Sequence, residues 1–233
     1  VTHISNPNTA SLTGKLVKAL REVAPPGVKL VHVPIVANKK TKLTRDGNQR
    51  TRSFLYASLG MAVASLVKCK RLQVYENGVT SFNLPISPQL VGARASRSTH
   101  PCAMGVFETL FRQLGVRTGR VENNFLWMTK TEVVKYLRNS PYARLIGLTD
   151  SCGDTYNKRK GERYCGRCSQ CIDRRFAVLA ADAAEFDPGD NYRVDLLTGE
   201  RRNGKDRTMM LSFVEAADRY LQLDPSEFLF RIP

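Results

Sequence analysis

Helices are predicted wherever apolar residues along the 233-residue chain recur every three or four positions. Residues 53–67 are apolar nearly all round, which is typical of a helix at the centre of a domain. Thr129 and Glu132 form a capping box that opens a shorter, more polar helix. The predicted helices are residues 9–23, 53–67, 103–114, 129–138, 171–186 and 207–223.

Short runs rich in β-branched residues predict strands between these helices. Residues 28–36 are apolar on both faces, which is typical of a buried parallel strand. His32 within this run is expected to be a hydrogen-bonded core histidine rather than a ligand. The predicted strands are residues 1–5, 28–36, 71–76 and 121–128. Strands that alternate with helices predict an α/β fold, with a parallel sheet and helices on both faces.

Four of the six cysteines cluster in one polar stretch with the spacing C-x12-C-x2-C-x2-C. Thiolates at this spacing can surround one ion in a tetrahedral S4 site, the ligand set of structural zinc. An iron–sulfur cluster, a pair of disulfides and a redox C-x2-C remain alternatives, and the otherwise cytosolic character of the chain favours zinc. The candidate ligands are Cys152, Cys165, Cys168 and Cys171. We therefore predict three parts: an α/β domain at residues 1–150, a zinc-binding lobe and helix at 151–187, and a helical extension at 188–233.

The net charge of +15 lies entirely in the first 150 residues, because residues 151–233 hold 14 basic and 14 acidic side chains. Such an excess suits a phosphate-rich ligand, and a basic solvated surface explains it equally well. No apolar run approaches the length of a membrane helix and no signal peptide is visible, so we predict a cytoplasmic protein without membrane contact.

Two arginines at the start of the apolar helix are candidates for contacting an anion. The polar segment 38–52 carries six basic residues and one acid, and it leads into the helix N-terminus, where free amides favour negative charge. Arg50 and Arg52 are therefore predicted to bind phosphate, while the lysines earlier in the segment are expected to be solvated. A solvated role for the whole segment is the alternative.

A second candidate site lies where the strand at residues 71–76 ends. Ligands of open α/β sheets bind beyond the carboxyl ends of the strands, and Asn77-Gly78 stands at such an end. The following segment, residues 79–101, lacks a regular pattern, and segments of this kind are usually functional. It contains Thr99 and His100, and for His100 substrate contact and a plain surface position remain equally open.

Together these residues resemble the 7-cyano-7-deazaguanine synthases, QueC-like enzymes of the PP-loop, or N-type ATP pyrophosphatase, superfamily. The cysteine motif after Ser151 is the most specific element, and the arginine before the apolar helix and the segment FLWMTKTE at residues 125–132 also match. The resemblance covers roughly residues 1–187. It implies an adenine nucleotide alpha hydrolase-like (HUP-like) sheet, ATP and Mg²⁺, a structural zinc, and a purine-like pocket lined by Asn77, Gly78, Thr99 and His100.

Three departures set this chain apart from that family. Thr51 follows the arginine where the family has asparagine, and residues 76–101 differ from the usual substrate loop. The S-G-G-x-D-S phosphate loop is absent from the 233 residues, so we expect an upstream segment to be missing and the chain alone not to hydrolyse ATP. No catalytic residue is assigned.

The resemblance implies a ligase that adenylates a 7-deazaguanine acid and couples it to ammonia or another amine, in queuosine biosynthesis or in a divergent variant for anti-phage defence. Its partners would be ATP and the acid, with a homodimer or a defence complex left open. The alternatives are a zinc-braced basic module that binds nucleic acid and a non-catalytic subunit of a larger complex.

Overall fold

The computed structural model describes seven stretches of the chain: residues 1–3, 7–36, 52–82, 99–116, 120–153, 163–201 and 204–224. These residues form two compact units, one up to Thr129 and one from Lys130 onward. The predicted division at residues 150 and 187 stays a prediction. Among the described residues, no helix combines the length and the apolarity needed to cross a bilayer.

The described residues of the first unit form four short strands and four helices. Strands β1 and β2 pair in parallel, and β3 and β4 form a second parallel pair that begins with Arg71 beside Arg120. The elements are β1 Thr2–His3, α1 Pro7–Val23, β2 Pro34–Ile35, α2 Arg52–Leu66, β3 Arg71–Val74, α3 Gly78–Phe82, α4 Pro101–Gln113 and β4 Arg120–Asn123. The chain is thus a mixed α/β protein with small parallel two-stranded sheets.

Helices α2 and α4 pack against the β3–β4 pair and make the core of this unit. Small or flexible side chains of α2 allow the close approach, and larger ones from α4 fill the remaining space. The buried members of this core are Ala57, Met61, Met104, Phe111 and Val121. The prediction that α2 is central is confirmed for this face, whereas its Phe54 and Tyr56 are exposed.

The buried strand predicted at residues 28–36 is wrong. Strand β2 covers Pro34–Ile35 alone, and Val28, Val31 and Val36 are all more than half exposed. Proline has no amide hydrogen and so cannot extend the ladder, and no second layer among the described residues covers the apolar run. His32 is half-buried, and its Nε2 lies 2.7 Å from Thr2 Oγ1, so it is hydrogen-bonded as expected.

The second unit is built on the pair of helices α5 and α6. Its elements are α5 Lys130–Arg138, a 3-10 helix Ala143–Leu148, α6 Ser169–Ala180, a 3-10 helix Gly189–Asn191 and α7 Lys205–Leu221. Ile146, Val178, Ala181 and Ala183 form its apolar core. Helix α6 ends at Ala180 and not at residue 186 as predicted, because Asp182 takes a left-handed conformation with φ of 52°.

Candidate functional site

The four clustered cysteines come together in the second unit, with their sulfur atoms all within 4.8 Å of one another. Three of the four side chains are buried, Cys168 is half-buried, and all six cysteines of the chain are free thiols, so no disulfide joins them. The Sγ atoms of Cys165 and Cys171 are 3.8 Å apart. Tetrahedral coordination with Zn–S bonds of ~2.3 Å separates two sulfurs by about 3.8 Å. The cluster therefore fits one metal ion such as zinc, with no position left for a substrate.

The turn between the cysteines prepares one sulfur as an acceptor. The amides of Arg167 and Cys168 each donate to Cys165 Sγ at 3.4 Å. Cys168 is the N-cap residue of α6, and its own sulfur caps no helix amide, which leaves it available as a ligand. Gly166 has a φ of +70°, a left-handed conformation that glycine adopts without strain.

Hydrogen bonds among the four sulfurs lower the pKa of two of the thiols and raise the pKa of the other two. Hydrogen bonds from the other three thiols lower the pKa of Cys165. Hydrogen bonds from Cys152 and Cys171 lower the pKa of Cys168 to about 6, against the opposite effect of Cys165. The same contacts raise the pKa of Cys152 and Cys171, since each thiol that donates to a thiolate holds its proton more tightly. Four sulfurs this close cannot all ionise unless a cation neutralises them, which is what a bound divalent ion does.

Residues after position 187 close over this cluster. Tyr164, next to Cys165, forms a parallel bridge with Tyr192. In this bridge the Tyr164 amide donates to the Asn191 carbonyl at 3.0 Å and the Arg193 amide donates to the Tyr164 carbonyl at 2.9 Å. The two tyrosine rings lie 4.7 Å apart, between centroids.

Side chains from residues 194–206 complete the closure. Arg201 Nη2 donates to the carbonyl of Gly166 at 3.0 Å, and Arg167 forms an ion pair with Asp206 at 3.1 Å. Val194 packs so close that a β-carbon added to Gly166 would lie 1.9 Å from its carbonyl oxygen. The turn that carries the cysteines is therefore held in place by contacts from residues 194–206 as well.

A buried ion pair supports the lobe from below α6. Arg174 Nε donates to Asp187 Oδ2 at 2.7 Å, and Asp187 is fully buried. The remaining guanidinium hydrogens reach Thr149 Oγ1 at 2.7 Å and the Ile146 carbonyl at 2.9 Å. Tyr192 donates its hydroxyl to Asp187 at 2.8 Å, and burial raises the pKa of that hydroxyl. Because the guanidinium, carboxylate and hydroxyl groups of this network all have hydrogen-bond partners within the protein, we interpret it as a structural support rather than a catalytic centre.

In the first unit, Asn77 and Gly78 lie directly beyond the carboxyl end of β3. Asn77 Oδ1 accepts from the Thr80 amide at 3.1 Å and its Nδ2 donates to Thr80 Oγ1 at 3.0 Å, so Asn77 caps the start of α3. The Gly78 amide donates to the Met128 carbonyl at 2.8 Å. A β-carbon on Gly78 would lie 2.2 Å from the Leu126 carbonyl oxygen, so this backbone approach requires glycine.

Thr99 and His100 meet the same short helix. Thr99 Oγ1 lies 3.0 Å from Ser81 Oγ, and the ring of His100 lies edge-on to Phe82 with 5.8 Å between centroids. His100 Nδ1 accepts from the Cys102 amide at 3.2 Å, so the histidine also caps α4. The four residues predicted to bind substrate are thus brought together around α3, while their role remains a prediction.

Two further residues of this cluster escaped the sequence reasoning. Asn123 ends β4 and donates to the Glu76 carbonyl at 2.8 Å and to Ser81 Oγ at 2.9 Å. Trp127 is 82% exposed, and its ring lies 5.5 Å from that of Phe82. Asn123 could have been found by the rule that identified Asn77, since it is the polar residue at the carboxyl end of the neighbouring parallel strand.

The two predicted phosphate-binding arginines cannot be placed in the same way. Arg50 lies outside the described residues, and Arg52 is the first residue of α2, with its backbone alone described. Comparison of the chain with protein-family models, with curated proteins and with solved structures finds no match.

Proposed function

We propose that the chain belongs to a QueC-like ATP-dependent ligase, which adenylates the carboxylate of a 7-deazaguanine acid and couples it to ammonia or another amine. The observation that carries the proposal is the convergence of the C-x12-C-x2-C-x2-C sulfurs on one closed S4 site, which the resemblance requires. The mixed α/β character of the described residues agrees with it. The proposal implies that the small parallel sheets belong to a larger HUP-like sheet with helices on both faces.

The proposed reaction activates a poor electrophile with ATP. A carboxylate oxygen of the acid attacks the α-phosphorus, and pyrophosphate leaves with the electron pair of the broken P–O bond. The amine then attacks the acyl carbon, AMP leaves and a proton is released, which gives the amide. When the amine is ammonia, the oxygen of the primary amide attacks a second ATP and releases pyrophosphate, and loss of AMP and of the two amide protons then gives the nitrile.

The cluster around α3 supplies groups suited to a flat, polar heterocycle. Asn123 supplies a half-buried amide group, and the hydroxyl of the fully buried Ser81 accepts a hydrogen bond from that amide and fixes its position. Phe82 and the exposed Trp127 offer aromatic faces of the kind on which purine-like rings stack. Orienting the acid by edge contacts and ring contacts is the contribution we assign to these residues.

Zinc held by the four cysteines would brace the second unit. A closed S4 site has no open position, so the ion supplies structure and no Lewis-acid step. ATP would need a phosphate cradle, and the 233 residues contain no S-G-G-x-D-S run. We assign phosphate contacts to Arg50 and Arg52, and we expect this chain alone to release no pyrophosphate.

Binding of the acid can be tested without turnover. Calorimetric titration of the zinc-loaded protein with 7-carboxy-7-deazaguanine should give a saturable isotherm, and His100→Ala should weaken binding about tenfold, a loss of ~1.4 kcal/mol. Val106→Ala is the matched control, since Val106 is 65% exposed on the same helix as the His100 cap. Equal affinity for guanine, or no saturable binding of the acid at millimolar concentration, would rule out the proposal.

A further inference from the structure

We propose that the first unit binds the phosphate backbone of nucleic acid through an exposed basic cluster at the amino edge of the β3–β4 pair. This cluster, the amino-edge patch, consists of Lys68, Lys70, Arg71 and Arg120, all of which are exposed. The inference is independent of the proposed ligase function and goes beyond it.

The parallel pairing of β3 with β4 gathers these residues at one edge. Parallel strands start at the same edge of a sheet, so Arg71 and Arg120, the first residues of β3 and β4, lie side by side. Lys68 and Lys70 belong to the connection from α2 into β3 and reach the same edge. The parallel pairing thus places four cationic side chains at one end of the sheet.

The pairing of Arg71 with Arg120 is the feature that indicates an anionic ligand. Cross-strand partners are separated by ~4.8 Å and project from the same face, and like charges in this position destabilise a sheet. None of the four patch side chains forms an ion pair with a carboxylate of the described residues. An external anion would relieve this repulsion.

The nearby acids leave the charge of the patch largely uncompensated. Glu108 uses its carboxylate to accept from the Val121 amide at 2.6 Å. Glu122 lies two residues after Arg120 on the same face, where its strand partner is the neutral Gln73. One carboxylate therefore faces two guanidinium groups on this pair of strands.

A purely structural role explains part of the patch and fails for the rest. Lys68 follows the C-terminus of α2, where a cation stabilises the helix dipole. Arg71 and Arg120 sit in strands, where no comparable dipole acts on them. The two arginines therefore carry the inference.

The patch is also separate from the candidate substrate cluster. Asn77 and Asn123 lie at the carboxyl edge, whereas the patch lies at the opposite edge, ~10 Å away along four-residue strands. The patch cations are thus at the wrong end of the strands to hold the phosphates of a nucleotide bound near α3.

The chemistry of exposed cations favours a polymer over a single phosphate. One exposed ion pair contributes little net free energy in water, too little to hold a free phosphate in salt. On a nucleic acid each contact also releases condensed counterions, and the contributions accumulate along the backbone. Four neighbouring cations suit this mode of binding, which fixes position and reads no sequence.

The test compares two double variants that remove the same charge. Arg71→Gln/Arg120→Gln alters the patch, and Lys15→Gln/Lys18→Gln removes two exposed cations from α1. Binding of a fluorescent DNA of about 20 base pairs is measured by anisotropy between roughly 50 and 200 mM NaCl. The patch variant should lose at least tenfold in affinity and reduce the salt slope by about 1.8, and the α1 variant should change each far less.

Several results would overturn the inference. Equal losses in the two variants would mean that bulk charge, and not the patch, attracts DNA. The absence of salt-sensitive binding in the unmodified protein would exclude a nucleic-acid partner. Loss of binding to phosphatidylserine vesicles, with DNA binding intact, would assign the patch to a membrane surface, and full competition by 1 mM pyrophosphate would assign it to a small phosphate. Titration with the deazaguanine acid should be unchanged in both variants, which keeps this test separate from that of the ligase function.

Discussion

Substituting alanine for Gly166 tests whether the cysteine turn and the C-terminal segment form one closed structure. The φ of +70° at this position costs an L-residue about 1 kcal/mol. The added β-carbon would stand 1.9 Å from the Val194 carbonyl oxygen, so the two backbones must move apart. That movement also strains the Arg201 hydrogen bond to the Gly166 carbonyl, and bonds to charged groups contribute ~1.5–3 kcal/mol. We therefore expect Gly166→Ala to destabilise the second unit by about 3–4 kcal/mol.

Release of zinc into a colorimetric chelator during urea titration reports on this lobe directly. Substitutions at two other glycines separate the cost of the positive φ from the cost of the close contact with Val194. A β-carbon on Gly14, inside α1, meets nothing within 4 Å, and one on Gly27 meets nothing either but has a φ of +81°. Both lie in the first unit, so their free energies of unfolding are read from the fluorescence of Trp127. Gly14→Ala should be neutral or stabilising, and Gly27→Ala should cost about 1 kcal/mol. If Gly166→Ala costs no more than Gly27→Ala, the described closure is refuted.

Three more changes have expected outcomes. Cys171→Ser should reduce bound zinc well below one ion per chain by plasma mass spectrometry, because a tetrahedral site loses a buried ligand. Asp187→Asn should destabilise the zinc-binding lobe by about 3–5 kcal/mol in the urea assay, since it leaves the buried Arg174 guanidinium without its carboxylate. Burial raises the pKa of the Tyr192 hydroxyl above its ordinary value of 10.0. The free energy that this protonated hydroxyl contributes to folding is therefore present below pH 10 and lost as the pH rises above it. Absorbance at 295 nm follows the ionisation of the hydroxyl.

The two substitutions have matched comparisons. Cys102→Ser removes an exposed thiol and should leave zinc content unchanged. Asp182→Asn breaks an ion pair whose carboxylate is 87% exposed and should cost less than 1 kcal/mol. Equal effects of the paired variants, or ionisation of Tyr192 near pH 10 in the folded protein, would contradict the expectations.

The helices and the metal ligands could be predicted because their signals are local. Apolar stripes predicted α1 and α4, near-continuous apolarity predicted α2, and a capping box predicted α5, each to within two residues of the ends observed. The x2 spacings bring the last three cysteines together within one turn and the start of a helix, whatever the rest of the chain does. Such features require no knowledge of distant contacts.

The sequence did not predict features that depend on burial by another element or on a residue far away in the chain. An apolar run at residues 28–36 predicts a buried strand, but burial requires a covering layer that the run itself does not encode. The grip of Arg201 on Gly166 spans 35 positions, and no periodicity links the two. Asn77-Gly78 was predicted to lie beyond the carboxyl end of a strand as a substrate contact, and the Asn77 side chain in fact caps the following helix. Both interpretations follow from the same polar residue, and the following backbone chooses between them.

The order of residues in the closed lobe has a consequence for biosynthesis. The last cysteine ligand, Cys171, is translated before Tyr192, Arg201 and Asp206, the residues that shut the lobe. A nascent chain therefore exposes a complete set of thiols while the cover is still unmade. Residues 192–206 therefore enclose the sulfurs only after all four cysteines have been made, and a metal ion bound by the nascent thiols would then be covered by the C-terminal segment.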